Sequence, residues 1–203
     1  MFVELIELMR CPRGHAESNL IAAAERTSDR HIVDGTLGCP VCNAEFRIAG
    51  GVARFDAPPP TSAALPDAEL ALKLAALLDL ADPKGFAILT GAYGAQLDAV
   101  QRLVETAIVL QNPPKNVSGI PAGVIECTDT APFAPSSLRA GAIDESASDA
   151  LRASVVRTVQ SGGRIIGPLS MPVPADVNEL DRDERIWVGE RLGNRPLVSL
   201  RRA

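Results

Sequence analysis

Aromatic residues are scarce in this chain. Phe, Trp and Tyr make up 3% of 203 residues, with a single Trp and a single Tyr. A core must therefore be built from Leu, Val, Ile and Ala, and there is little material for base-stacking platforms. Positive charge is short as well: 20 Lys and Arg stand against 25 Asp and Glu, for a net charge of −5. That balance argues against a general nucleic-acid-binding surface. No uncharged run approaches the roughly 18 residues needed to cross a bilayer. The leader is interrupted by Glu4 and Glu7, and Arg10 follows its apolar residues instead of preceding them, which is not the order of a signal peptide. Both of the chain's two histidines fall in its first 31 residues, leaving no Ser-His-Asp arrangement. There is no Walker phosphate loop and no His-Glu-x-x-His helix. Four cysteines are too few for a disulfide scaffold and suit a reducing compartment. A cytoplasmic protein is expected, with no membrane partner.

What is present starts with two Cys-Pro turns, Cys11-Pro12 and Cys39-Pro40, the second continuing to Cys42 as a full C-x-x-C. Each resembles a zinc knuckle, and two knuckles offering two ligands each supply the tetrahedron that zinc prefers. The first turn has Gly14 where a second Cys is expected, but His15 follows at once and an imidazole is long enough to reach in. Cys11, His15, Cys39 and Cys42 are the candidate ligands. His31 is the other possible fourth ligand, though DRHIVDG reads as a solvated strand entering the second knuckle. The alternative is a metal-free ribbon held by packing, with its thiols reduced. A β-rich ribbon of this size buries too little apolar surface to fold well unaided.

Hydrophobic residues at 46% and charged residues at 22% suit one medium domain plus a small one. The break falls at APPPTSAALP, residues 57–66. Three successive prolines there lack amide protons and fix φ, so this is a stiff spacer. The expected organisation is a ribbon at 1–56, a Pro-rich linker at 57–66 and an α/β domain at 67–203. Before the break, FRIAGGVARF reads as a hairpin turning at Gly50-Gly51. After it, 66–83 reads as a helix with Asp67 and Glu69 at its start and a Leu stripe. Strands are expected at 86–90, 107–111, 123–127, 141–143 and 164–169. Helices are expected at 95–105, with Leu97, Val100, Leu103 and Val104 inward, and at 147–160. The segments 186–191 and 196–202 are expected to form a closing antiparallel hairpin around LGN. QNPPKNVSGIPA stands where a helix usually joins the second and third strands. Strands alternating with helices imply a Rossmann-like, doubly wound sheet.

The leader VELIELMRCP followed by CPVCNAEFRIAGGVARF is similar to the ribbon family typified by the small zinc-binding activator subunit of tRNA and release-factor methyltransferases. Residues 67–203 resemble a class I S-adenosylmethionine-dependent methyltransferase, on ILTGAYG, DTAPFAPSSLRAGAI and VVRTVQSGGRIIGP. The resemblance implies cofactor contacts from Gly91 and Gly94 after the first strand, from Gln111 at the end of the second, and from Asp129 near the adenine. Here the sequence departs from the family. The acid before the glycine turn is absent, Tyr93 stands near the expected middle glycine, and the second strand ends Leu110-Gln111-Asn112 where an acid should receive the ribose.

Asp144-Glu145 sit where α/β ligands bind, or form a solvated helix cap. Cys127 reads as a small core residue, and Asp181–Arg185 as a solvated loop or short helix. The reading is a non-catalytic interaction or regulatory protein with no catalytic residue: a metal-binding zinc ribbon joined to a methyltransferase-like domain with a degenerate cofactor site. Its expected partner is another protein or a second copy of itself. The alternative is a methyltransferase with an atypical cofactor pocket, and Tyr93 discriminates the two: an active pocket needs it turned away. A ribbon that holds RNA or a translation factor fits poorly with so few aromatics and so much acid.

Overall fold

The computed structural model describes residues 1–193. In chain order it has a one-turn helix α1 (Val3–Ile6), then strands β1 (Ile21–Ser28), β2 (His31–Gly38), β3 (Glu45–Ala49) and β4 (Val52–Arg54). After the Pro-rich segment come α2 (Ala68–Leu77), β5 (Phe86–Thr90), a 3-10 helix at Gly91–Gln96 running into α3 (Leu97–Gln101), β6 (Ala107–Gln111) and β7 (Gly123–Glu126). Next are β8 (Ala140–Ala142), α4 (Asp149–Thr158), β9 (Arg164–Pro168), β10 (Val177–Arg182) and β11 (Ile186–Arg191).

All strands belong to one 11-stranded sheet in the order β1-β2-β3-β4-β7-β6-β5-β8-β9-β11-β10. The middle is parallel from β4 to β9, and the flanks are antiparallel. Within 67–193 the order β7-β6-β5-β8-β9 places the first strand of the α/β part next to its fourth. This is the order reversal of a Rossmann-like sheet, with ligand crevices expected at the carboxyl ends there. The fold is thus mixed α/β with a β-rich N-terminal part.

Alternation along the central strands covers both faces. Ile88, Val109 and Ile165 join one core with Val155, Val159 and Trp187. Their neighbours Ala87, Leu89, Ile108, Leu110 and Ile166 join the other with Leu70, Leu74 and Leu97. No helix lies between β7 and β8, and the leader covers that part of the first face. Leu5 and Met9 are fully buried there beside Phe133, and Arg10 N–H donates to Pro132 O at 2.9 Å. The approach is close at Gly123, where a Cβ would come within 2.8 Å of Leu5 Cδ2 and the leucine would have to shift.

The local signals read from sequence have visible causes. Gly50 and Gly51 both have positive φ, 60° and 80°, which a two-residue hairpin loop of the favoured twist demands. Asp67 caps α2, accepting from the amides of Glu69 and Leu70 at 3.0 and 3.1 Å. Ser148 caps α4 through Leu151 N–H at 3.2 Å.

Three expectations need correction. The partner of 186–191 is β10, the segment before it, with Val177 opposite Arg191 and Arg182 opposite Trp187; residues 196–202 lie outside those described. Asp181–Arg185 is accordingly the end of β10 and its hairpin turn. The helix expected at 95–105 is α-helical only over Leu97–Gln101, because the turn after β5 winds as a 3-10 helix. Leu103 lies in the turn beyond the end of α3 and is exposed, at 52%.

Because Leu5 is packed in the same core as Val109 and Ile125, the leader and the α/β part should unfold together. Leu5→Ala should cost about 2–5 kcal/mol in a single denaturant transition followed by circular dichroism. Two separated transitions, with only the first moved by the substitution, would contradict that joint core.

Candidate functional site

The second knuckle is shaped by its own backbone. Cys39 N–H donates to Ala44 O and Asn43 N–H to Cys39 O, both at 2.9 Å, while Asn43 takes the left-handed conformation at φ 56°. Asn tolerates that region better than most residues. Amide N–H groups of Cys42 and Val41 then point at the Cys39 sulfur. The first knuckle is held by Cys11 N–H to Ser18 O at 3.0 Å. Together they bring the ligand atoms of Cys11, His15, Cys39 and Cys42 within 4.8 Å of one another.

Cys11 Sγ lies 3.8 Å from Cys42 Sγ, and His15 Nε2 lies 3.4 Å from Cys39 Sγ. A tetrahedron with Zn–S of about 2.3 Å and Zn–N of about 2.05 Å has sulfur–sulfur edges of about 3.8 Å and sulfur–nitrogen edges of about 3.5 Å. The two contacts match those edges. His15 Nδ1 is 2.6 Å from Ala16 O, the second-sphere bond that leaves Nε2 free to coordinate. Burial works against the Cys39 thiolate, but the Cys42 and Val41 amides outweigh it and bring the thiol to about 6. Burial pushes Cys11 up to about 11, so metal uptake by this set would displace a proton from it. The donor set therefore could bind a metal ion. His31 is not among these residues: its ring packs edge-on against Phe2, centroids 4.2 Å apart, with Nε2 buried. It is thus a packed residue and not a solvated one.

The second region is the carboxyl edge of the sheet. Because β4 runs parallel to β7, its end lies at that edge. Helix α2 leads back to the start of β5, so its N-terminus lies there too. Residues 57–66 join the two by crossing over β7, β6 and β5, about 14 Å at the usual strand spacing, well within a polyproline segment's reach. The crossing is tied down along its length. Asp56 accepts from Thr128 N–H and Oγ1, each at 2.8 Å, Thr61 Oγ1 donates to Asn112 O at 2.5 Å, and Gln96 Nε2 donates to Leu65 O at 3.2 Å.

Under this strap remains a cavity of about 240 Å³ bounded by Pro58–Thr61, Thr90, Gly91, Asn112 and Asp144. That is below the usual 300–1,000 Å³ of small-molecule sites.

Of the sequence-selected cofactor residues only Gly91 bounds this cavity, and each is engaged with another part of the chain. Gly91, at φ 49°, opens the turn after β5, where a Cβ would collide with the Asp144 carboxylate. Asp144 is 6% exposed. Its Oδ2 accepts from Ala92 N–H at 2.9 Å, and both oxygens accept from Ser146 Oγ. The expectation of a solvated cap at Asp144 is therefore corrected: the glycine turn has its amide satisfied by the chain's own carboxylate. Gly94 sits against Pro113. Gln111 is fully buried, and its Nε2 donates to Cys127 O and Thr130 O at 3.0 and 2.9 Å. Asn112 bonds Cys127 N–H and O through its amide. Asp129 accepts from Ser148 Oγ at 2.6 Å. Cys127 is buried, as expected. Tyr93 lines a different cleft on the α2 side and packs into the second core, so its ring is not what narrows the crevice.

Sequence reasoning named Asp144 and the Pro-rich spacer but missed the contact of Asp144 with the glycine turn and the path of the spacer over the crevice. The adjacency of β5 and β8 would have found the first, since it sets the end of β8 beside Gly91. The parallel β4–β7 pairing would have found the second.

No family model matches the chain, and no curated protein matches it. Among solved structures, a geranyl diphosphate methyltransferase in complex with GPP and sinefungin is similar, with a TM-score of 0.40 and 16% identity. The similarity covers 49% of this chain and 44% of that one, less than half of either. A likeness of this extent carries no argument, and the α/β assignment rests on the strand order.

Proposed function

We propose that this chain is a non-catalytic interaction or regulatory protein: a zinc ribbon joined to a methyltransferase-like sheet that does not bind S-adenosylmethionine. The observation that carries this reading is the strap. Pro58–Thr61 crosses the carboxyl ends of β6 and β5 and bounds a cavity of about 240 Å³, while Asp144 takes the amide behind Gly91. Zinc is held by Cys11, His15, Cys39 and Cys42 and fixes the knuckles; three thiolates and an imidazole are a structural set with no open position for chemistry. Partners are a protein or a second copy of the chain, in the cytoplasm, with nucleic acid disfavoured by the net charge of −5. Among the described residues no helix is long and apolar enough to cross a membrane. The alternative, a methyltransferase with an atypical pocket, has one observation in its favour, that Tyr93 is turned away from the crevice. It would need the strap to leave.

Purified protein made with ample metal should carry about one zinc per chain. Cys39→Ser and Cys42→Ser should release it and loosen the ribbon, whereas His31→Ala should keep it. Zinc near zero by elemental analysis would decide for a ribbon held by packing alone.

The cofactor reading has its own test. The two missing acids would each have supplied a charge-assisted bond of about 1.5–3 kcal/mol, so their loss weakens binding by roughly two to four decades. A calorimetric titration with S-adenosylmethionine should show no binding tighter than about 100 μM. Low-micromolar binding, or methyl transfer to a tRNA or protein extract, would overturn the proposal.

A further inference from the structure

On the α2 side of the strap lies a second, larger cleft of about 680 Å³, within the range of small-molecule sites. Tyr93, the only tyrosine of the chain, lines it and is 8% exposed. Among the described residues its hydroxyl makes no hydrogen bond, and it is not sealed off as a buried unpaired atom would be, so it is open to a ligand in the cleft. Burial pushes its acidity down, reinforced by the carboxylates of Asp144 and Glu145, so it stays neutral, and its oxygen can accept from an ammonium N–H.

The charge around the phenol is one-sided. Arg185, the cation lining the cleft, is paired with Asp67 at 2.9 Å. Asp144, Glu145 and Glu184 also line it, and none of the three has a Lys or Arg partner among the described residues. Asp144 is satisfied by an amide and hydroxyls, and Glu145 by the Ser170 hydroxyl at 2.9 Å. These carboxylates do not converge as a metal site would. Among the described residues the Cys-His cluster is the group whose ligand atoms do so. Leu65, Leu70, Leu169 and Ile186 give the wall its apolar part, beside the polar Thr61, Ser62, Gln96 and Ser170.

We propose that this cleft binds a small organic ammonium with an apolar arm, its charge set among Glu145, Asp144 and the face or hydroxyl of Tyr93, and its arm against Leu70 and Leu169. A spread-out cation suits an aromatic face and separated carboxylates better than a metal ion does. The inference does not depend on whether the neighbouring crevice admits S-adenosylmethionine.

A single tyrosine makes the test direct. Full-length protein labelled with 3-fluorotyrosine should give one fluorine resonance, from Tyr93. Benzylamine should move it saturably, and benzyl alcohol, its neutral counterpart, should bind at least about tenfold more weakly, with benzoate inactive. Glu145→Gln, at an exposed position, should weaken benzylamine about fivefold and leave benzyl alcohol unchanged. No saturable shift with benzylamine, equal shifts with all three probes, or an unaltered benzylamine response in Glu145→Gln would each overturn the proposal.

Discussion

The parallel pairing of β4 with β7 is the contact on which the rest of the molecule depends. Val52, Ala53 and Arg54 lie in register with Val124, Ile125 and Glu126, and Arg54 reaches Glu126 at 2.7 Å. The salt bridge is partly exposed and contributes little by itself. The backbone ladder matters more, because it turns a small ribbon into the edge of a large sheet. It supplies the apolar surface that the ribbon lacks, through Leu5, Met9 and Ile48 in a core shared with Val109 and Ile125. It also sets direction: a parallel β4 must end at the carboxyl edge, and the chain must leave from there.

From that exit the path of residues 57–66 follows. The segment has to reach the start of α2 across three strand spacings, and three prolines make it extended instead of coiled. Its hydrogen bonds to Asn112 and Gln96, and that of the preceding Asp56 to Thr128, are made with the crevice's own rim. The same pairing that stabilises the ribbon thus lays a strap over the place where Rossmann-like sheets usually bind ligands. Asp144 completes the closure from below by occupying the amide of Ala92. What remains open is the cleft beyond the strap, floored by Tyr93.

Much of this was legible in the sequence, for local reasons. The Cys11, His15, Cys39 and Cys42 set follows from two Cys-Pro turns and metal geometry. The Gly50-Gly51 turn and the Asp67 cap follow from backbone requirements that few residues meet. The buried central strands follow from continuous apolar runs such as FAILT and AIVLQ. The misses are of another kind. β10, VNELDR, is an edge strand with one neighbour, and only Val177 of it is buried, so it carries no apolar signature. Leu103 was misassigned because α3 ends at Gln101 and leaves it in the following turn, off the helical stripe. The contact of Asp144 with the glycine turn and the path of the spacer depend on which strands are neighbours, and adjacency is not written in any single segment.

The central claim is that the carboxyl-edge crevice is satisfied and covered by the chain itself. Amide hydrogen exchange at Ala92 and Thr128 tests it most directly, measured with and without millimolar S-adenosylmethionine. Both amides donate to carboxylates of this chain, Asp144 and Asp56. The account predicts strong protection of both without the cofactor and no change when it is added. Free exchange in its absence, with protection appearing only on its addition, would contradict the account.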